Sequence, residues 1–249
     1  NEDWISSLGY SLGYIGGGIL FLINVIMFEY PHLFGLHDKA EAIKFSFLTV
    51  SIWWAVFSIP IYLFVPEPKN DNKISFFKSI KLGWYEVKET LIEIRKFKYI
   101  FLFLISYWFY IDGVDTIVRM SVDYGLSIGF DSSSLIKALL IVQFVAFPAT
   151  LLYSKFGDLI GTKNAIYVAI IGYSLITVFG YFMQLEWHFY TLAIFIGCFQ
   201  GGIQALSRSL YSRIIPKNKS AEFFGFYNML GKFAAVIGPA LMGIITYYT

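Results

Sequence analysis

The residues Gly197 to Pro216, GCFQGGIQALSRSLYSRIIP, set four polar groups into an apolar run: Gln200, Gln204, Ser207 and Arg208. At ~100° per residue these four, with Gly197 and Tyr211, share an arc of roughly 100°. A guanidinium can grip a carboxylate through two parallel hydrogen bonds, and glutamine amides supply donors and acceptors to orient it. Polar groups facing lipid are too costly, so such a stripe belongs in the wall of a cavity inside a membrane. Gln200 and Gln204 are the deeper pair. Arg208 is only about five residues from the next loop at ~1.5 Å per residue, so snorkelling to headgroups, or pairing with Glu222 or Asp158, competes with solute binding.

Other ionisable groups also fall in apolar runs. Asp112 and Asp115 are followed one turn later by Arg119. Asp115 and Arg119 have the i,i+4 spacing of a helical ion pair. Asp112 reads equally as a proton-coupling or ammonium-binding carboxylate and as a structural anchor for Arg119. Asn228 and Lys232 share a helix face with Gly225, Ala235 and Pro239, and Lys232 lies deep enough to require a partner such as Asp112 or Glu222. Gln143, five residues before Pro148, is a further cavity candidate whose alternative is an interhelical hydrogen bond worth ~0.6 kcal/mol. Asn24 lies on the face of Gly9, Gly13 and Gly17, a row of small residues whose simplest reading is close helix packing.

The elements that must carry these groups are membrane helices. The chain is 57% hydrophobic and only 14% charged, with mean hydropathy +0.63, against about 25% charged residues in soluble domains. Seven runs are long enough to span, near Leu8–Phe28, Ile43–Val65, Ile100–Val118, Leu135–Tyr153, Ala165–Met183, Phe189–Ile215 and Phe223–Tyr247, each approaching the ~20 residues that a bilayer requires. The fold class expected is therefore all-α, a polytopic membrane helix bundle. Residues 66–98 form the one long non-spanning stretch, entered through Pro66, Glu67 and Pro68. Within it Phe77, Ile80, Trp84, Val87, Leu91 and Ile94 recur at helical spacing, an amphipathic helix on the membrane surface.

Loop charge orients the spans. Loops 66–98, 154–163 and 211–220 hold 13 of the 19 basic residues, Lys69 and Lys73 among them, which places these loops in the cytoplasm. The net charge of +2 gives no reason to expect nucleic acid. A single Cys198 excludes an intrachain disulfide, and His32, His37 and His188 lack metal-ligand spacing. No metal or cofactor is expected, nor an enzyme, since no nucleophile elbow, zinc-protease motif or P-loop occurs.

The turn Ser154 to Lys163, SKFGDLIGTK, resembles the loop signature Gly-x-x-x-Asp-Arg-x-Gly-x-Lys of the major facilitator superfamily. Asp158, Gly161 and Lys163 match, while Ser154 and Leu159 depart from it. Longer stretches, GYSLGYIGGGIL (9–20), FYIDGVDTI (109–117), VQFVAFPATLLYSKFGD (142–158), QGGIQALSRSLYSRIIP (200–216) and EFFGFYNMLGKFAAVIGPALMG (222–243), resemble its vacuole-effluxer branch. That resemblance implies twelve helices in two halves. The spans here would be helices five to eleven, with helices one to four and twelve outside the chain, and both ends would be cuts in a longer protein.

Residues 1–65 would then end the N-terminal half, 66–98 would link the halves, and 99–249 would open the C-terminal half. Gly197–Pro216 would be the cavity-lining helix ten. Asp158, Gly161 and Lys163 would form a conformational latch, with Asp158 pairing to Arg213 or accepting backbone N–H groups. Asp115 and Arg119 would gate the opposite side. The implied activity is secondary transport of a small polar solute, amino acids by analogy, with possible proton coupling. The location would be the cell membrane of a bacterium or the vacuolar membrane of a fungus. A second reading, a non-transporting receptor or scaffold that recruits a partner through residues 73–96, uses the same residues.

Overall fold

The computed structural model describes residues 2–66 and 75–248. Glu67, Pro68, Lys69 and Lys73, counted above in the linker and its charge, lie outside the described residues. Eight α-helices occur among the described residues: α1 (Glu2–Glu29), α2 (Lys39–Phe64), α3 (Phe76–Lys96), α4 (Lys98–Ser127), α5 (Ser132–Ile160), α6 (Thr162–Tyr181), α7 (Glu186–Ile214) and α8 (Ser220–Tyr248). All but α3 are long and apolar enough to cross a bilayer. The chain is an all-α, multi-pass membrane bundle.

The helices outrun the apolar stretches. α1 begins at Glu2 rather than Leu8, because carboxylates in a first turn are favoured by the exposed N–H groups there. α4 continues to Ser127, so Arg119 is helical rather than in a loop. α5 continues to Ile160, which puts Lys155 and Asp158 on its last turns and leaves Gly161 alone to make the turn into α6. Gly161 has φ +88°, a conformation that a Cβ resists. Polar side chains also start helices elsewhere. Asp38 accepts from the Glu41 N–H at 2.7 Å to open α2, and Asp131 accepts from the Ser133 N–H at 2.9 Å to open α5.

The core is organised around α7, which buries residues along nearly its whole length, whereas α2 buries only Ala42. The bundle closes tightly where α7 is bare. Gly197 lies against Val145, Gly201 against Thr150 and Tyr14, and Gly202 against the Tyr153 ring. Without a hydrophobic driving force between helices in lipid, this close approach supplies the packing energy. At the end of the bundle where the basic loops lie, Tyr107, Tyr211 and Tyr227 stack face to face, with ring centroids 4.2 Å apart for Tyr107–Tyr227 and 4.9 Å for Tyr211–Tyr227. Tyr211 also donates to the Phe223 carbonyl at 3.0 Å, tying α7 to α8.

The glycines of α1 do something else. Among the described residues, no atom lies within 4 Å of where a Cβ would stand on Gly9, Gly13, Gly16 or Gly17, and only Gly18 touches α5, at Gln143 and Phe144. The expectation that this row packs a neighbour is overturned within the described residues. Small residues suit an open wall as well as a tight seam, and here α1 turns its bare face to a cavity. Close packing of glycine instead belongs to α7. A methyl group at Gly202 would overlap the Tyr153 ring, so Gly202→Ala should destabilise the protein by about 1–3 kcal/mol. Thermal unfolding in detergent against the parent protein reads that loss.

Candidate functional site

α1, α5, α7 and α8 enclose a cavity of about 900 Å³ within the span region. Its polar lining includes Tyr10 and Tyr14 from α1, Gln143 from α5, and Gln204 and Arg208 from α7, with Glu2 and the hydroxyls of Ser6, Ser209 and Ser212 toward one end, Phe224 of α8 at one edge and Gly9, Gly13 and Gly17 forming a smooth side. Tyr14 donates to Gln204 Oε1 at 3.0 Å, which holds the amide across the α1–α7 contact. The Arg208 side chain is exposed to the cavity space, with its guanidinium carbon 5.7 Å from the centroid of the Phe224 ring. A guanidinium beside an aromatic face keeps its hydrogen-bond fork open to an anion while the ring stabilises the charge.

The sequence-selected residues divide by place. Gln204, Arg208 and Gln143 meet in the cavity. Gln200 lies behind its wall, in a recess of about 200 Å³ shared with Gln143, Ser121 and Phe21. The Gln200 Oε1 is buried with no hydrogen-bond partner among the described residues. Asn24 is used between helices, accepting from the Thr49 hydroxyl at 2.8 Å and so joining α1 to α2. Asn228 and Lys232 are exposed on α8.

Asp112 does not line the cavity. Its Oδ1 accepts from the backbone N–H of Gly238 at 3.0 Å, next to Pro239 inside α8. A carboxylate from a neighbouring helix thus ties α4 to the backbone of α8 at this point. Among the described residues neither Asp112 nor Asp115 forms an ion pair within 4 Å with Arg119 or Lys232. Asp115 instead sits within longer electrostatic reach of Arg119, Asp112 and Lys232.

The helix ends nearest the basic loops carry a charge clip. Arg213 binds Asp3 in an ion pair, reaches Glu2 at 3.7 Å, and donates to Thr162 Oγ1 at 3.2 Å and Ser209 Oγ at 3.0 Å. Thr162 in turn donates to Asp3 Oδ2 at 2.8 Å, and Ser212 donates to Glu2 at 2.6 Å. Arg213 thus joins α7 to the starts of α1 and α6. The reason is that α1 begins six residues earlier than its apolar run and brings two carboxylates to this point. Asp158 is exposed at the end of α5, and the Lys163 ammonium stands 5.9 Å from the Tyr167 ring centroid.

A family model described as "Vacuole effluxer Atg22 like" matches residues 1–249, the whole chain. The chain belongs to the vacuole effluxer Atg22-like family. Among relatives, an "Uncharacterized MFS-type transporter YxiO" of Bacillus subtilis is 39% identical over 250 residues, covering 98% of this chain and 57% of that protein. Autophagy-related protein 22-2 of Aspergillus clavatus is 26% identical over 270 residues, covering 97% of this chain and 43% of that protein. Autophagy-related protein 22 of Vanderwaltozyma polyspora is 25% identical over 275 residues, covering 98% and 52%. The chain spans about half the length of these relatives. No solved structure matches it.

In this Atg22-like chain, Tyr10 and Tyr14 are the site residues that sequence reasoning missed. They stand one turn apart beside the glycine row, and that juxtaposition is the signal that could have found them. Two substitutions test the assignments above. Arg213→Ala leaves the buried Asp3 carboxylate without its cation and should cost about 3 kcal/mol, read as a fall in thermal stability in detergent. Asp112→Asn keeps an acceptor oxygen for the Gly238 N–H and should be near neutral, whereas Asp112→Leu should cost about 1–3 kcal/mol. Equal losses for the two Asp112 variants would refute the anchor role.

Proposed function

We propose that this chain is part of a secondary transporter that moves a small polar solute, amino acids, by alternating access. The observation that carries the reading is the cavity itself: a space of about 900 Å³ among membrane helices, bordered by two tyrosines, two glutamines and one arginine, with Glu2 and three serines toward one end. Neutral hydrogen-bonding groups hold a polar solute without the desolvation penalty that a ring of charges imposes. Arg208 supplies the fixed positive charge for a carboxylate. Family membership and the transporter name of the Bacillus relative support the activity. We further propose that the seven spans are helices five to eleven of twelve, with residues 1–65, 66–98 and 99–249 as the end of one half, the linker and the start of the other. The 57% coverage of the Bacillus relative is what seven helices of twelve would occupy.

Under this reading the amine of the solute, and any coupled proton, need a carboxylate. Asp112 is already engaged with α8, so its part in coupling goes through the helix it holds. Arg213 and Asp3 form the closure at the cytoplasmic end, in the place assigned above to the latch.

Flux of labelled amino acids into proteoliposomes containing the full-length protein tests the proposal. Arg208→Gln should lower kcat/KM about 10²-fold or more, the loss expected when a charge-assisted hydrogen bond of about 3 kcal/mol disappears. Arg208→Lys should recover part of it. Uptake that is absent for every amino acid, with the protein folded, would refute the substrate class. Full uptake by Arg208→Gln would refute the site.

A further inference from the structure

α3 is the helix that the transport reading leaves unused. Counting ~100° per residue from Ile80, its surface divides into four rows. Ile80, Leu91 and Trp84 fall at about 0–40°, and Arg95, Lys88 and Lys81 at about 60–100°. Glu89, Glu93 and Glu86 fall at about 180–240°, and Gly83, Thr90 and Ile94 at about 280–320°. The last row is docked: Thr90 and Ile94 are buried against the bundle, and Ile94 joins the cluster that includes Phe223 and Tyr227. The acidic row borders it, and Glu93 pairs with Lys219 at 2.5 Å just before α8 begins. The apolar and basic rows remain outside. Ile80 is 56% exposed and Trp84 76%, and Lys81, Lys88 and Arg95 are all exposed.

This segregation fits one kind of partner. Among the acids Glu93 turns toward the protein while Glu86 and Glu89 stay exposed, and Lys81, Lys88 and Arg95 line the outer edge of an apolar strip, with Lys78 and Lys96 further round at about 160°. Apolar side chains beside a basic row match the boundary between acyl chains and phosphate in an anionic leaflet. The location agrees, since α3 leads straight into α4 at the end of the bundle where the basic loops lie. We propose that α3 is a docking strip for anionic lipid headgroups, with Ile80 and Trp84 entering the acyl boundary and Lys81, Lys88 and Arg95 meeting the phosphates. The strip is fastened to the bundle beside α8 by Ile94 and by the Glu93–Lys219 pair, so a lipid bound there bears on the helix that brings Phe224 to the cavity edge.

The test uses the full-length protein with Cys198→Ser and Ile80→Cys, labelled at residue 80 with an environment-sensitive fluorophore. It is reconstituted in nanodiscs of phosphatidylcholine with increasing phosphatidylglycerol. Emission should shift to the blue as the anionic lipid rises, and added salt should reverse the shift. Each basic side chain near an anionic surface contributes about fivefold. The combined Lys81→Gln, Lys88→Gln, Arg95→Gln variant should therefore bind the anionic surface on the order of 10² times more weakly and lose the blue shift across the phosphatidylglycerol series, while Lys81→Arg with Lys88→Arg should behave as the parent. Equal emission in neutral and anionic discs overturns the proposal, as does a shift that salt leaves untouched. A label already shielded from aqueous quencher in detergent would mean that another part of the protein covers the strip, which also overturns it. The salt series needs no charge variant, so a variant that fails to fold does not shelter the idea.

Discussion

A polar group inside hydrocarbon must find its partner within the protein, and α1 shows what that requirement builds. Each unsatisfied group there costs several kcal/mol. Along one edge of α1, Ser6 donates to the Ala205 carbonyl at 2.8 Å, Ser11 to the Phe147 carbonyl at 2.9 Å, and Tyr14 to Gln204 at 3.0 Å. These bonds fix the rotation of α1 against α5 and α7. With that edge occupied, the glycine row is turned away from both neighbours, and the cavity is the space that remains. Its smooth side and its polar side thus follow from one seating.

α7 meets the same requirement from two directions. Its glycines let α5 approach closely enough to bury Tyr153 and Thr150, while Gln204 and Arg208 are kept out of that contact and face the cavity. Packing and recognition share a helix but not a face. Substitutions on the glycine side act through stability, and on the proposed reading those on the Gln204–Arg208 side act on the solute, which makes the two kinds of effect separable by experiment.

Span number and the polar stripe of α7 were legible in the sequence, because hydrophobic length and helical spacing are each set by the bilayer. Helix ends were not. Glu2, Asp3, Lys155 and Asp158 look like loop residues by polarity, yet interfacial water and capping interactions let helices run on through them. The glycine row was misread because an empty wall and a tight seam ask for the same residue. Asp112 was open to two readings for a different reason. Its partner is a backbone N–H near Pro239, and backbone donors leave no mark in the pattern of side chains. Tyr10 and Tyr14 went unnoticed among many aromatic residues, since only their place beside Gly9 and Gly13 distinguishes them.

The two ends of α1 are tied with unequal strength, and that inequality bears on access to the cavity. At the outer end Glu29 meets Ser133, with Lys39 at 3.6 Å and Lys137 at 3.9 Å, and both lysine side chains are more than half exposed. Exposed pairs of this kind contribute about 0–1 kcal/mol each. At the cytoplasmic end Asp3 is buried, with its side chain only 3% exposed, and it is shared by Arg213 and Thr162. A buried charge that loses its partner costs about 3–5 kcal/mol. Parting α1 from α6 and α7 at the cytoplasmic end therefore demands a compensating interaction that parting it from α5 at the outer end does not. In a transport cycle that compensation must come from water reaching Asp3, from a bound solute, or from a new partner for Arg213. A carboxylate in the cavity lining able to serve is Glu2, which already accepts from Ser212 and lies 3.7 Å from the same guanidinium.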